Sequence, residues 1–296
     1  MATHPALAGA GVVFNPQHVQ AILADPQRLD FLQVAARSYL TASTDEQQQL
    51  HCLAEHLPVV VRAQGVSLTA ASLPAQQHMQ PLVALCRRYC ATWMSVRLSA
   101  PELHGGVLSG GAPLAYNSAS LQRACQHLER WQNSLGRQLL IENPASYLPL
   151  AESDMSQAAF LAELTQRSGC GLLLNVTNLL ISSHNCAVPL ASWLLDLPLQ
   201  QVRAMQLSGH RQVPLGNGRS LWLDEPTSAV SDASWQLFAE LIRRVGALPC
   251  VLAWEGNQPA WSLLAAEVDC VRALQGEPYM PLARSAIGDA KAGNLA

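Results

Sequence analysis

Lysine is all but missing from this chain: among 18 basic residues Lys291 is the only lysine, a bias that reads as codon composition rather than function. Charged residues make up 13% of the chain, and the formal net charge of −3 comes with no basic run of the kind that tracks phosphates. Nucleic acid is therefore not expected as a partner. Apolar stretches such as Leu57 to Val61 and Leu172 to Leu174 fall far short of the roughly 20 residues needed to cross a bilayer. The N-terminus shows no charged-then-apolar signal pattern, so the expectation is a cytoplasmic protein with no membrane contact. Phosphate-cradling glycine loops are missing too, since Gly105-Gly106 and Gly110-Gly111 lack both the lysine and the strand-to-helix setting. Leu207-Ser208-Gly209-His210 is not a nucleophile elbow. No CxxC occurs. The eight cysteines, scattered through apolar segments, read as free buried thiols rather than a disulfide framework. Cys86 and Cys90 stand one helical turn apart and could hold a soft metal, but no second pair supports them.

What is present is enough apolar material, 49% of 296 residues, for a large core. Short β-like runs alternate with amphipathic stretches. Strands are expected at Gly11 to Phe14, Asp30 to Val34, Pro58 to Arg62, Trp93 to Leu98, Gln138 to Glu142, Gly171 to Asn175, Arg203 to Leu207 and Pro249 to Trp254. Helices are expected at Pro16 to Ala24, Asp45 to His56, Gln77 to Cys90, Ser118 to Leu135, Ser156 to Arg167, Pro189 to Leu195, Asp232 to Val245 and Pro259 to Leu274. Eight strand–helix pairs predict an α/β fold, a TIM-like (β/α)8 barrel in a single domain over residues 1–275, with a doubly wound open sheet as the rival. The segments Leu98 to Asn117 and Gly209 to Glu225 are Gly/Pro-rich and read as long loops, and residues 276–296 as a flexible polar tail.

In a barrel the C-terminal strand ends converge on one mouth. Here they carry Asn15, Gln33, Ala35, Arg62, Arg97, Glu142, Asn143, Asn175, Gln206, His210 and Ala253, a polar, amide-rich set dominated by cations.

Several of these residues lie in recognisable motifs. Glu142 to Leu148 (ENPASYL), Asp154 to Asn178 and Leu207-Ser208-Gly209-His210 resemble the DUF692 (UPF0276) family of multinuclear non-heme iron oxidases. Weaker matches at Gly11 to His18, Gly65 to Leu68, Pro113 to Tyr116 and Trp254 to Trp261 extend the resemblance almost to Gly276. It implies a TIM barrel that holds two or three irons and oxidises cysteine-containing peptides beside a protein that recognises the peptide leader.

The implied metal donors are largely replaced. Where the family shows Glu-Val-His-Ala-Glu-Asn-Tyr, this chain has Gln33-Val34-Ala35-Ala36-Arg37-Ser38-Tyr39. His-Gly-Val-Gly becomes Arg62-Ala63-Gln64-Gly65, and Ser-Glu-His-Leu becomes Ser95-Val96-Arg97-Leu98. Leu-Asp-Val-Asn-Asn becomes Leu174-Asn175-Val176-Thr177-Asn178, the first imidazole of His-Leu-Ala-Gly-His becomes Gln206, Asp-Thr-His becomes Asp224-Glu225-Pro226, and the acid of Ile-Glu-Trp becomes Ala253. Glu142, His210 and Asp224 remain, with His18 and His184 nearby. Iron needs carboxylate and imidazole lone pairs, which an arginine does not offer. A guanidinium about 5 Å from a dication repels it by roughly 6 to 7 kcal/mol at an effective dielectric of about 20.

Three functions follow. The first is a degenerate, non-catalytic member of the family with no cofactor, binding a peptide or a partner protein in a ribosomal-peptide modification pathway; the partner would be an intact family member or a leader-recognition protein. The second is an oxidase with a reduced iron site drawn from His18, Glu142, His184, His210 and Asp224. The third is a metal-free isomerase or lyase with Glu142 as base. In the first, Glu142 pairs with Arg62 or Arg97 in place of metal. Asn143, Asn175 and Asn178 either orient a peptide backbone or pin the loops, and arginines with side-chain amides at the mouth would suit an acidic or backbone-exposed peptide segment, or the loop of a partner protein.

Overall fold

Runs rich in valine, leucine and isoleucine that are apolar on both faces suit parallel strands covered by helices. In the computed structural model, which describes residues 7–100, 113–216 and 218–276, eight such strands close a barrel. They are β1 (Ala10–Val13), β2 (Phe31–Ala35), β3 (Val59–Ala63), β4 (Met94–Arg97), β5 (Leu140–Glu142), β6 (Gly171–Asn175) and β7 (Val202–Ser208), then, after an antiparallel hairpin of β8 (Arg211–Leu215) and β9 (Arg219–Leu223), β10 (Cys250–Ala253). All barrel neighbours pair in parallel, and β10 closes the ring against β1. The (β/α)8 expectation is met.

The helices are α1 (Val19–Ala24), α2 (Ala36–Leu40), α3 (Thr44–Ala54), α4 (Gln76–Arg88), α5 (Ser118–Leu135), α6 (Gln157–Ser168), α7 (Val176–Cys186), α8 (Leu190–Asp196), α9 (Asp232–Val245) and α10 (Trp261–Gln275). Their starts are written locally: Ser43 and Glu46 form a reciprocal capping box on α3, and Asn117, Ser156 and Ser231 cap α5, α6 and α9. None of the described helices is long and apolar enough to cross a membrane.

Side chains alternate along each strand, and this period of two sorts the core. Outward positions such as Val12, Val34, Val61, Ile141 and Leu207 pack beneath the helices. Inward, Phe31, Val60, Trp93, Leu140, Leu173, Ala204 and Val251 form an apolar floor. Two residues further along the same strands come Gln33, Arg62, Ser95, Glu142, Asn175, Gln206 and Ala253, all buried. The barrel therefore changes from hydrocarbon to polar within one step of the pleat.

One expectation is corrected, and two helices stand where none was expected. The segment Gly209 to Glu225 is the β8–β9 hairpin rather than an open loop. The residues after Asn175 are helical, forming α7, because Asn175 caps them and their apolar side buries Val176, Leu179 and Ile181 against the body of the protein. The short α2 was also not anticipated. All eight cysteines are free; Cys86 is buried and Cys90 exposed. Part of the Leu98 to Asn117 segment, residues 101–112, and the expected tail at 277–296 lie outside the described residues.

At Gly11, on β1, an added Cβ would stand 2.4 Å from the Phe31 ring and 2.7 Å from the Phe31 carbonyl oxygen. A ring can turn, but a barrel carbonyl cannot. Gly11→Ala is expected to lower stability by about 1–3 kcal/mol, measured as a shift of the urea midpoint without loss of far-UV signal.

Candidate functional site

Glu142 ends β5 inside the barrel, fully buried. A lone carboxylate there would be costly, and the neighbouring strand ends supply its partners. Arg62 at β3 donates from Nε to Glu142 Oε2 at 3.2 Å and from Nη2 to Oε1 at 3.4 Å. Arg97 at β4 donates from Nη2 and Nε to Oε1 at 3.0 and 3.3 Å. Asn175 Nδ2 and Gln206 Nε2 add 3.1 and 3.4 Å contacts to the same oxygen. The predicted pairing of Glu142 with an arginine is present with both arginines at once.

Each guanidinium also holds a second acid. Arg62 Nη1 donates to Glu255 Oε1 at 2.6 Å. Arg97 Nη1 lies 3.0 Å from Asp224 Oδ2, a charge contact without hydrogen-bond direction. Three carboxylates thus face two guanidiniums, leaving one negative charge in excess. Both guanidiniums are therefore already engaged by acids of this chain. Burial by itself would raise the Glu142 pKa; Arg62 and Arg97, with the Asn175 hydrogen bond, outweigh it and bring it down to about 2. Arg97 is shifted the other way, its discharge by burial overcome by Glu142 and Asp224.

The asparagines are spent on the scaffold. Asn143 Oδ1 accepts from the Asn175 backbone N–H at 2.7 Å while its Nδ2 donates to the Asn175 carbonyl at 3.0 Å, continuing the β5–β6 ladder with a side chain. Asn175 Oδ1 caps α7 by accepting from Asn178 N–H, and Asn178 Nδ2 donates to the Asn143 carbonyl, each at 3.0 Å.

The sequence profile of the RiPP precursor modification enzymes MbnB/TglH/ChrH matches residues 9–276. The chain belongs to this family. It is similar to a UPF0276 protein of Paraburkholderia phytofirmans, 31% identical across 95% of this chain and 92% of that one. A UPF0276 protein of Rhizobium meliloti is 34% identical across 92% and 88%. Among solved structures, a xylose isomerase-like TIM barrel protein from Mycobacterium smegmatis in complex with magnesium superposes with a TM-score of 0.59 at 11% identity, covering 92% of this chain and 99% of its own. Endonuclease IV from Thermus thermophilus gives 0.55 at 14%, covering 90% and 98%. Likeness at that identity shows the fold alone.

The donors that the family resemblance implies for iron are not gathered in this chain. His184 and His210 stack on the Trp222 ring, with centroids 4.2 and 4.6 Å away, and His184 Nε2 lies 2.9 Å from the Ser220 carbonyl oxygen. His210 has a lowered pKa, first from burial and then from His184. His18 packs on Trp261 at 5.6 Å, its pKa lowered by burial. Asp224 and Glu142 are held by arginine. Among the described residues no three His, Cys, Asp or Glu side chains converge as a metal-holding group. The residues present do not fit a multinuclear iron centre.

Glu255 escaped the sequence reading because it stands beyond the last inward strand position, Ala253. Gly256 and Asn257 follow in left-handed conformations, φ 81° and 36°, and the Glu255 backbone N–H donates to the Pro226 carbonyl at 2.7 Å. Together these fix the turn that carries Glu255 to Arg62. The Glu-Gly-Asn triplet after a strand was the available signal.

Two predictions follow from these pairs. Glu142→Gln should cost about 1–3 kcal/mol at pH 7, since it removes the charge-assisted hydrogen bonds of two buried guanidiniums while leaving Arg62 with Glu255 and Arg97 with Asp224. A carboxyl with a depressed folded-state pKa contributes fully above its unfolded value near 4.5 and loses that contribution as pH falls toward about 2. The stability gap between wild type and Glu142→Gln, from urea unfolding at several pH values, should therefore close across that window. Secondly, Glu142→Gln with Arg62→Gln keeps the Arg97–Asp224 pair and frees only the part-exposed Glu255, whereas Glu142→Gln with Arg97→Gln strands buried Asp224. The first double variant should be more stable by about 1–3 kcal/mol; equal stabilities would mean that the Asp224 contact contributes nothing.

Proposed function

We propose that this member of the RiPP precursor modification family works without metal-dependent catalysis, as a barrel that binds a peptide or a partner protein in the modification pathway. The observation that carries the reading is the engagement of both Glu142 oxygens by Arg62 and Arg97. Oε1 is crowded by donors from Arg62, Arg97, Asn175 and Gln206, Oε2 accepts from Arg62, and two guanidiniums repel a dication that would replace them. Family membership supports a peptide as the bound partner.

The other two readings find less support. An oxidase with a reduced iron site needs its imidazoles and carboxylates on one centre, and His184 and His210 lie on one indole instead. An isomerase or lyase base needs reach to a substrate proton and a pKa near the working pH; Glu142 is buried and drawn down to about 2.

Protein purified without chelator, alongside a family member that retains the acids and imidazoles, should carry well under one iron per chain by elemental analysis. Two or more irons per chain, with charge-transfer absorption, would overturn the proposal.

A further inference from the structure

The excess of one carboxylate over guanidinium lies beside a cavity. Where β1, β2 and β10 end, a space of about 330 Å3 is lined by Phe14, Tyr39 and Trp254 together with Glu46 and Glu255. No lysine or arginine is among the described residues that line it. Glu255 spends one oxygen, Oε1, on Arg62, and a third of its side-chain surface remains exposed. Glu46 turns one oxygen, Oε2, back onto the start of its own helix, where it accepts from the Ser43 N–H and hydroxyl at 2.8 and 2.9 Å. Three aromatic residues and two acids around an opening of side-chain size are the surroundings that favour an organic cation: the negative faces of rings attract it and the carboxylates neutralise it. An anionic guest would meet Glu46 and Glu255 and find Arg62 already paired.

We infer that this cavity receives a cationic side chain, the ammonium of a lysine or the guanidinium of an arginine, from the bound peptide. The inference rests on the peptide-binding reading above and names the residue type recognised. It reverses the expectation of an acidic ligand, because the arginines at the mouth are consumed internally while the acid at the rim keeps an oxygen to offer. Aromatic rings and carboxylates line the same cavity, so charge and aromatic contact should each contribute and each be removable.

The test titrates the full-length protein, with iron content measured on the same sample, against four capped tripeptides: Ac-Gly-Lys-Gly-NH2, Ac-Gly-Arg-Gly-NH2 and their glutamate and norleucine counterparts. Calorimetry or ligand-observed NMR gives the affinities. The lysine and arginine peptides are expected to bind about fivefold or more tightly than the other two, and the preference to shrink as salt is raised. Glu255→Gln and Trp254→Leu, each checked for a native melting transition, should separately reduce that preference by about threefold or more. Glutamate or norleucine peptides that bind as well as the cationic ones, no binding of the cationic peptides, or a preference untouched by both substitutions would overturn the inference. The wild-type comparison stands even if a variant fails to fold. Two or more irons per chain with the cationic preference intact would end the metal-free reading and leave this one standing.

Discussion

Glu142 is the charge around which the upper half of the barrel is organised. It sits where water cannot solvate it, so everything within reach must donate to it, and four strand ends do. Three of the four donors are then fixed by a second task. Arg62 is drawn to Glu255, Arg97 to Asp224, and Asn175 is bound to the cap of α7 and to Asn143. A buried pair of this kind is weak evidence for net stability, because desolvation offsets much of the attraction. Its firmer consequence is directional: removal of Arg62 or Arg97 deepens the excess of negative charge, whereas removal of Glu142 leaves each guanidinium with one acid.

This arrangement needs a sharp boundary between apolar and polar layers, and the strand geometry supplies it. Inward-facing positions lie two residues apart, so Val60 precedes Arg62, Leu140 precedes Glu142 and Leu173 precedes Asn175 on their strands. The floor keeps the network dry from below. The strand ends above it bring Glu142 and the guanidiniums to hydrogen-bond distance without long side-chain excursions, which limits the rotamer entropy lost in assembling the cluster.

Much of this was legible from residue order. The eight strands were readable as apolar runs between turn residues, the polar set followed from placing their C-terminal ends at one mouth, and a buried carboxylate's need for a partner is how Glu142 came to be expected against Arg62 or Arg97. The missed parts have identifiable causes. Helix α7 contains Val176, Thr177, Asn178, Ser182 and Ser183, poor helix formers that tertiary burial and the Asn175 cap override. The hairpin was hidden by its proline and glycines, although Asn217-Gly218 between alternating residues is a hairpin signal. The charge balance at the mouth was misread because a count of arginines says nothing of whether their donors are already taken; Asp224 was seen only as a metal candidate, and Glu255 lay past the strand end.

The two imidazoles near the mouth serve the hairpin rather than Glu142. His210 follows β7 and His184 lies on α7, and both stack on Trp222 of β9. His184 also meets the Ser220 carbonyl, and Asn185 pairs with both backbone groups of Trp222. These contacts satisfy β9 along the side away from β8, so the hairpin is tied down to α7 by side chains rather than by a third strand. Because Trp222 precedes Asp224 by two residues, the stacking that anchors the hairpin also sets where Asp224 begins, and through it the second partner of Arg97. Asp224, two residues past Trp222 and in contact with Arg97, is where the aromatic clamp and the buried ion network meet along the chain.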